Sequence, residues 1–167
     1  METPEFLLHF SEDPTIAVFH PRVAPTQQIE GEWVWADAVE TSPRYWFPRD
    51  CPRGTWWPTD HPEGPRVHAI EWSWFDRFVA CELYAYRMPA ATFERTSGGW
   101  LSPTSVTPLG VEPVGPLLDK HRHAGVELRI VPDGALLALW DDVIKRPGLA
   151  FSGIRLKNAT RATRGPS

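Results

Sequence analysis

Lysine is nearly missing from this chain. Of 17 basic residues among 167, only Lys120, Lys145 and Lys157 are lysines. Basic runs are missing from its body too. The one concentration is the tail from Arg155 to Arg164, and the net charge is −4. A nucleic-acid surface needs clustered cations to neutralise phosphates, so nucleic acid is not an expected partner. Cysteine is scarce. Cys51 and Cys81 make no CxxC and no zinc-like spacing, which points away from a disulfide framework and toward a reducing, cytoplasmic setting. No run approaches the roughly 20 apolar residues of a membrane-spanning helix. The acidic start, Met1-Glu2-Thr3-Pro4-Glu5, leads into no apolar leader, so no membrane partner is expected. The motifs GxGxxG, P-loop, GxSxG and HExxH are absent. No metal is expected either. His68-Ala69-Ile70-Glu71 lacks the downstream PCxxC of zinc deaminases, and His121-Arg122-His123 lacks a nearby third ligand. These histidines read as ordinary surface or edge residues.

What the chain has in excess is tryptophan (9) and proline (18), spread along its length with 12 glycines. That distribution reads as many short elements joined by fixed turns rather than as disorder. Phe6 to Phe10 reads as a strand, and Ile16 to Phe19 as a second short element. Ala24 to Glu32 is a polar loop, Glu32 to Ala36 a strand, and Asp37 to Arg44 a short helix. Strands are expected at Thr55 to Trp57, Arg66 to Glu71 and Ala80 to Arg87. Gly98-Gly99 is a turn, and Trp100 to Val111, broken by Pro103 and Pro108, is extended at a sheet edge. Helices are expected at Trp72 to Val79, at Val114 to Ala124 with Leu117, Leu118 and His121 near one face and Gly125 as C-cap, and at Ala135 to Lys145 with Leu136, Leu139, Trp140 and Val143 on one face. Strands at Val126 to Val131 and Phe151 to Leu156 complete the set. The expected fold is α+β: one domain over residues 1–159, a mixed but largely antiparallel sheet with a few short helices, and a flexible tail over 160–167.

Two stretches carry candidate chemistry. Tyr45-Trp46-Phe47-Pro48-Arg49-Asp50-Cys51-Pro52-Arg53 combines flat apolar faces, stiff turns and planar cations, the parts of a small-molecule site. Arg49, Asp50 and Arg53 suit a phosphate or carboxylate clamp; an Arg–Asp pair pinning the loop is the plain alternative. Cys51 reads as a small buried hydrophobe, since no adjacent histidine serves as its base. In Leu8-His9-Phe10-Ser11 the spacing of two puts His9 and Ser11 on one side of a strand, where imidazole and hydroxyl suit a ribose or another polyol. The alternative is a core histidine bonded to a carbonyl.

The runs LLHFSEDPTIAVFHPR, YWFPRDCPR, VHAIEW, LYAYRMP, VTPLGVEPVGPLL, AGVELRIVP and FSGIRLKNA resemble a bacterial domain family of unknown function, from Leu7 to about Ala159. The N-terminal third also resembles the entry into an ADP-ribosyltransferase-like fold: an opening strand with L-x-H-F-S, an I-x-x-F-x-P element, then V-W-A and a short helix. Such enzymes open with a histidine that binds the ribose of NAD, follow with an aromatic that stacks on nicotinamide, and bring a glutamate on a later strand. That resemblance implies NAD as substrate, with His9 in the first role and Tyr45, or alternatively Trp35, in the second. Glu112 takes the third, between Pro108 and Pro113. It further implies that Ser11 helps hold the ribose, that Trp46 joins the stack, and that Arg22 and Arg49 neutralise a pyrophosphate. Glu112 would be the catalytic carboxylate, steadying an oxocarbenium-like centre. A non-catalytic nucleotide or small-metabolite binding module is the second reading, and a partner-binding protein whose aromatics are only core is the third.

Overall fold

The computed structural model describes residues 4–23, 30–61, 63–97 and 99–161. The α+β class holds: short strands pair mostly antiparallel, with three short α-helices among them. The chain forms two compact units, each assembled from two separate segments. Residues 1–45 and 82–114 make the first, residues 46–81 and 115–167 the second.

The first unit holds two three-stranded sheets. In one, β1 (Phe6–Ser11) pairs with β5 (Tyr84–Pro89), which pairs with β8 (Gly110–Pro113), all antiparallel. In the other, β7 (Gly99–Ser102) lies between β2 (Val34–Ala36) and β6 (Glu94–Thr96). A single bridge, Leu8 to Asp37, joins β1 to the residue just after β2. Alternation along β1 sends Leu7 inward to Tyr86, Met88, Val34 and Phe19. The element expected at Ile16 to Phe19 is no strand: Phe19 makes one bridge, to Val106. The helix expected at Asp37 to Arg44 is a 3-10 turn at Ser42–Tyr45. Pro103 and Pro108 do not keep Trp100 to Val111 in one edge strand. They divide it, and β7 is central in its sheet while β8 is an edge.

The second unit has a four-stranded sheet in the order β10 (Leu149–Ile154), β3 (Arg53–Pro58), β4 (Val67–Glu71), β9 (Glu127–Val131). Only β4 and β9 run parallel. Helix α3 (Leu136–Val143) packs Leu136, Val143 and Trp140 against Trp56 and Ala69 on one face. Gly54 and Gly153 pair across β3 and β10. A Cβ on either would meet the Trp140 indole, at 2.8 Å and 2.7 Å respectively, so the bare backbone is what admits the ring. The other face carries α1 (Phe75–Ala80), α2 (Leu117–His123) and the loop 46–52. Helix α2 starts after Pro116 and stops at Gly125, whose φ is +69°. Leu117 and His121, one turn apart, point inward, but Leu118 does not: it is exposed, correcting its expected placement. The loop 24–29, the first half of the Gly98-Gly99 turn, and 162–167 of the expected tail lie outside the described residues. No helix among the described residues is long and apolar enough to cross a membrane.

Candidate ligand site around His9

His9 sits mid-strand in β1, half-buried, opposite Tyr86 of β5. Its ring leans on Phe19 with centroids 4.6 Å apart. Its Nδ1 lies 2.7 Å from the carbonyl oxygen of Trp35. A carbonyl only accepts, so Nδ1 carries the proton, and in the neutral ring Nε2 is then the acceptor nitrogen. The β1–β2 arrangement thus fixes both the tilt and the tautomer of His9. That is the state an imidazole needs in order to take a hydrogen bond from a sugar hydroxyl. The indole nitrogen of the same Trp35 is buried and has no hydrogen-bond partner.

Ser11 faces the same way as His9, as the spacing of two requires, but it is buried and its Oγ accepts the amide of Asp13 at 3.1 Å. Its first task is therefore to close the turn after β1. Asp13 closes it from the other side, taking the amide and hydroxyl of Thr15. Arg22 is exposed and pairs its backbone with Trp33, one residue before β2. Tyr45 stacks on Phe10, with centroids 6.2 Å apart and planes 17° off parallel. Phe10 alternates with His9, so its ring is on the opposite face of β1. In register, Phe10 meets Ala85 and Ala85 meets Glu112. Glu112 therefore shares the face of Phe10, not that of His9, and it is exposed at a sheet edge. The strand bearing Glu112 does form, Pro108 and Pro113 notwithstanding. Within the first unit, then, the fold brings His9 and Trp35 together, and sets Tyr45 and Glu112 on the sheet's other face.

Trp46 and Arg49 belong to the second unit. Trp46 is buried, its ring edge-on to His121 at 5.8 Å, with the Lys120 ammonium 5.0 Å above it. Arg49 and Asp50 are exposed. Arg53 does not join them in a clamp. It is buried, lies over Phe47, and donates from Nη1 to the carbonyls of Cys51, Arg49 and Pro48. The proline-rich segment is in this respect a loop wound around its own guanidinium. Cys51 is buried, its thiol pushed up to about 12 chiefly by burial, which makes it inert.

The sequence reading of His68 and His121 is corrected. Both are fully buried, not surface residues. His68 Nδ1 lies 2.8 Å from His121 Nε2, and His121 Nδ1 lies 2.8 Å from the Leu117 carbonyl. Phe47 packs on both rings and Phe78 on His121. The sequence carries two signals for this: His68 stands beside the apolar pair Ala69-Ile70 in a strand pattern, and His121 follows Leu117 by one helical turn. Among the described residues, no three His, Cys, Asp or Glu side chains come together as metal ligands would.

The chain belongs to a family of unknown function (DUF6886), whose model matches residues 8–159. No curated protein and no solved structure matches it.

Proposed function

We propose that this chain binds a ribose-bearing nucleotide of the NAD or ADP-ribose class at His9. The observation that carries the reading is the Nδ1–Trp35 carbonyl bond, which orients the ring and makes Nε2 the acceptor for a ribose hydroxyl. Half-burial beside Phe19 supplies an apolar flank for the sugar or base. Binding without glycosyl transfer is the form the geometry favours, because Glu112 and His9 occupy opposite faces of the β1–β5–β8 sheet. Transfer of the ADP-ribosyltransferase kind, with NAD as substrate, is the second reading. Its support is that Tyr45 and Glu112 share one face of that sheet. Neither cysteine is in a disulfide, in keeping with a cytoplasmic protein.

The test is thermal stability with NAD, ADP-ribose and ADP. A bound nucleotide stabilises the fold by mass action, by about 2.7 kcal/mol at a hundredfold excess over Kd, and so raises Tm. His9→Ala should abolish the rise while keeping the fold. Nicotinamide release from NAD, lost in Glu112→Gln, would move the assignment to the enzyme. No shift with any of the three would refute nucleotide binding altogether.

A further inference from the structure

The buried imidazole pair of the second unit has no part in that reading. The Leu117 carbonyl can only accept, so His121 carries its proton on Nδ1 and presents Nε2 as an acceptor. His68 then donates from Nδ1. Its own Nε2 is a bare lone pair, buried and without a hydrogen-bond partner. In the neutral pair the two bonds need a proton on each Nδ1 and a bare Nε2 on His121. A proton on His121 Nε2 sets N–H against N–H across the 2.8 Å gap. A proton on His68 Nε2 leaves both bonds in place but makes a buried cation whose new N–H has no acceptor, so it penalises the closed form through lost hydration rather than a lost bond.

The surroundings add nothing to offset that charge. The groups acting on His68 besides His121 are Arg66, just before β4, and Arg53 of β3, both cationic. The Cys51 thiol of the loop stays neutral. Glu71, three residues along β4, is turned away, to the amides of Gly134 and Thr160. Asp76 and Arg77 of α1, Lys120 and Arg122 of α2, and Glu127 and Arg129 of β9 are exposed, and Asp119 pairs with Arg122.

We propose that the His68–His121 bond is an acid-sensitive latch: it holds α2 on β4 while both rings are neutral, and one proton on the pair releases the helix. The titration runs in the direction this requires. His68 is held well below its ordinary value by burial and then by His121, Arg66 and Arg53. His121 is pushed down to about 4 by burial, against the pull of the Leu117 carbonyl. Both shifts are downward, so the opened form takes up a proton that the closed form refuses. Closure is fully favoured above the ordinary value of 6.5 and weakens as the pH falls from there toward about 4.

Amide hydrogen exchange on the full chain between pH 7 and pH 5, corrected for intrinsic rates, tests the latch. The opening constant of the Leu117–His123 amides should rise about 25-fold for one imidazole of ordinary pKa, while β3 and β4 stay protected. Uniform loss of protection across the second unit would be plain acid unfolding and would overturn the proposal, as would an unchanged α2. The double variant His68→Leu, His121→Leu should lose the increment; a variant that folds and keeps it also overturns the latch. Should the double variant not fold, nitrogen NMR of the native rings decides. Two Nδ1–H tautomers at pH 7, and a first protonation coincident with α2 opening, are expected. Protonation with α2 still closed overturns it.

Discussion

Asp37 in the first unit and Glu71 in the second are both carboxylates withdrawn from water, and their partners differ in kind. Asp37 takes its bonds from near neighbours: the Ala38 amide, the Thr41 hydroxyl and the Arg44 guanidinium, all within seven residues. Glu71 takes backbone amides from Gly134 and Thr160, 63 and 89 residues away. The first is a local turn with its own counter-ion. The second is a stitch: one side chain fixes two distant stretches of backbone. The histidines follow the same division. His9 bonds a carbonyl from half-burial, whereas His68 and His121 depend on each other across 53 residues of chain.

The largest expected effect comes from removing the stitch. Glu71→Ala removes the acceptor of two part-buried hydrogen bonds, those of the Gly134 and Thr160 amides, at up to about 1–3 kcal/mol each. Denaturant unfolding should therefore show a loss of about 2–6 kcal/mol, with Asp37→Ala costing less. Equal losses, or the reverse order, would break the distinction between the two carboxylates. Gly54→Ala comes next. The new methyl meets Trp140 at 2.8 Å, and overpacking of this kind costs about 1–3 kcal/mol. A double variant with Trp140→Leu should recover part of that loss, and no recovery would mean that the indole is not what the glycine accommodates. Ser11→Ala in the first unit is expected to cost least, about 0.5–1.5 kcal/mol, the worth of one turn hydrogen bond. A loss above that of Gly54→Ala would show that the first unit also rests on a single polar contact.

The parts of the fold legible in the sequence are those with a local cause. Alternation marked β9, and helical spacing marked the inward face of α3, because burial on one side leaves a period in the chain. Gly125 announced the end of α2 because only a glycine takes its φ without strain. The errors arise where the cause is remote. The short strand β6 (Glu94–Thr96) has little pattern of its own and exists by pairing with β7. By spacing Leu118 lies near the face of Leu117 and His121, yet a helix that buries those two turns Leu118 outward. His121 looked like a surface residue because its partner, His68, is placed beside it only by the packing of α2 on the sheet. At the candidate site, the pairing of His9 with Ser11 on one face followed from strand geometry. The bond from His9 to Trp35 did not, since it depends on the bridge that sets Leu8 beside Asp37. Arg53 was readable as a cation but not as the centre of its own loop.

The interleaving of the two units has a consequence for synthesis on the ribosome. Each unit needs a segment made after an intervening stretch of the other: the first waits for residues 82–114, the second for residues 115 onward. While the chain emerges, β3 has β4 to pair with but lacks β10, its partner on the other side, and the Glu71 carboxylate has neither Gly134 nor Thr160. A nascent chain halted near residue 81 would therefore expose an unpaired strand edge together with the apolar rings of Phe47 and Phe78. That intermediate is prone to aggregation. The last residues of the described chain, not the first, commit the second unit to its native state.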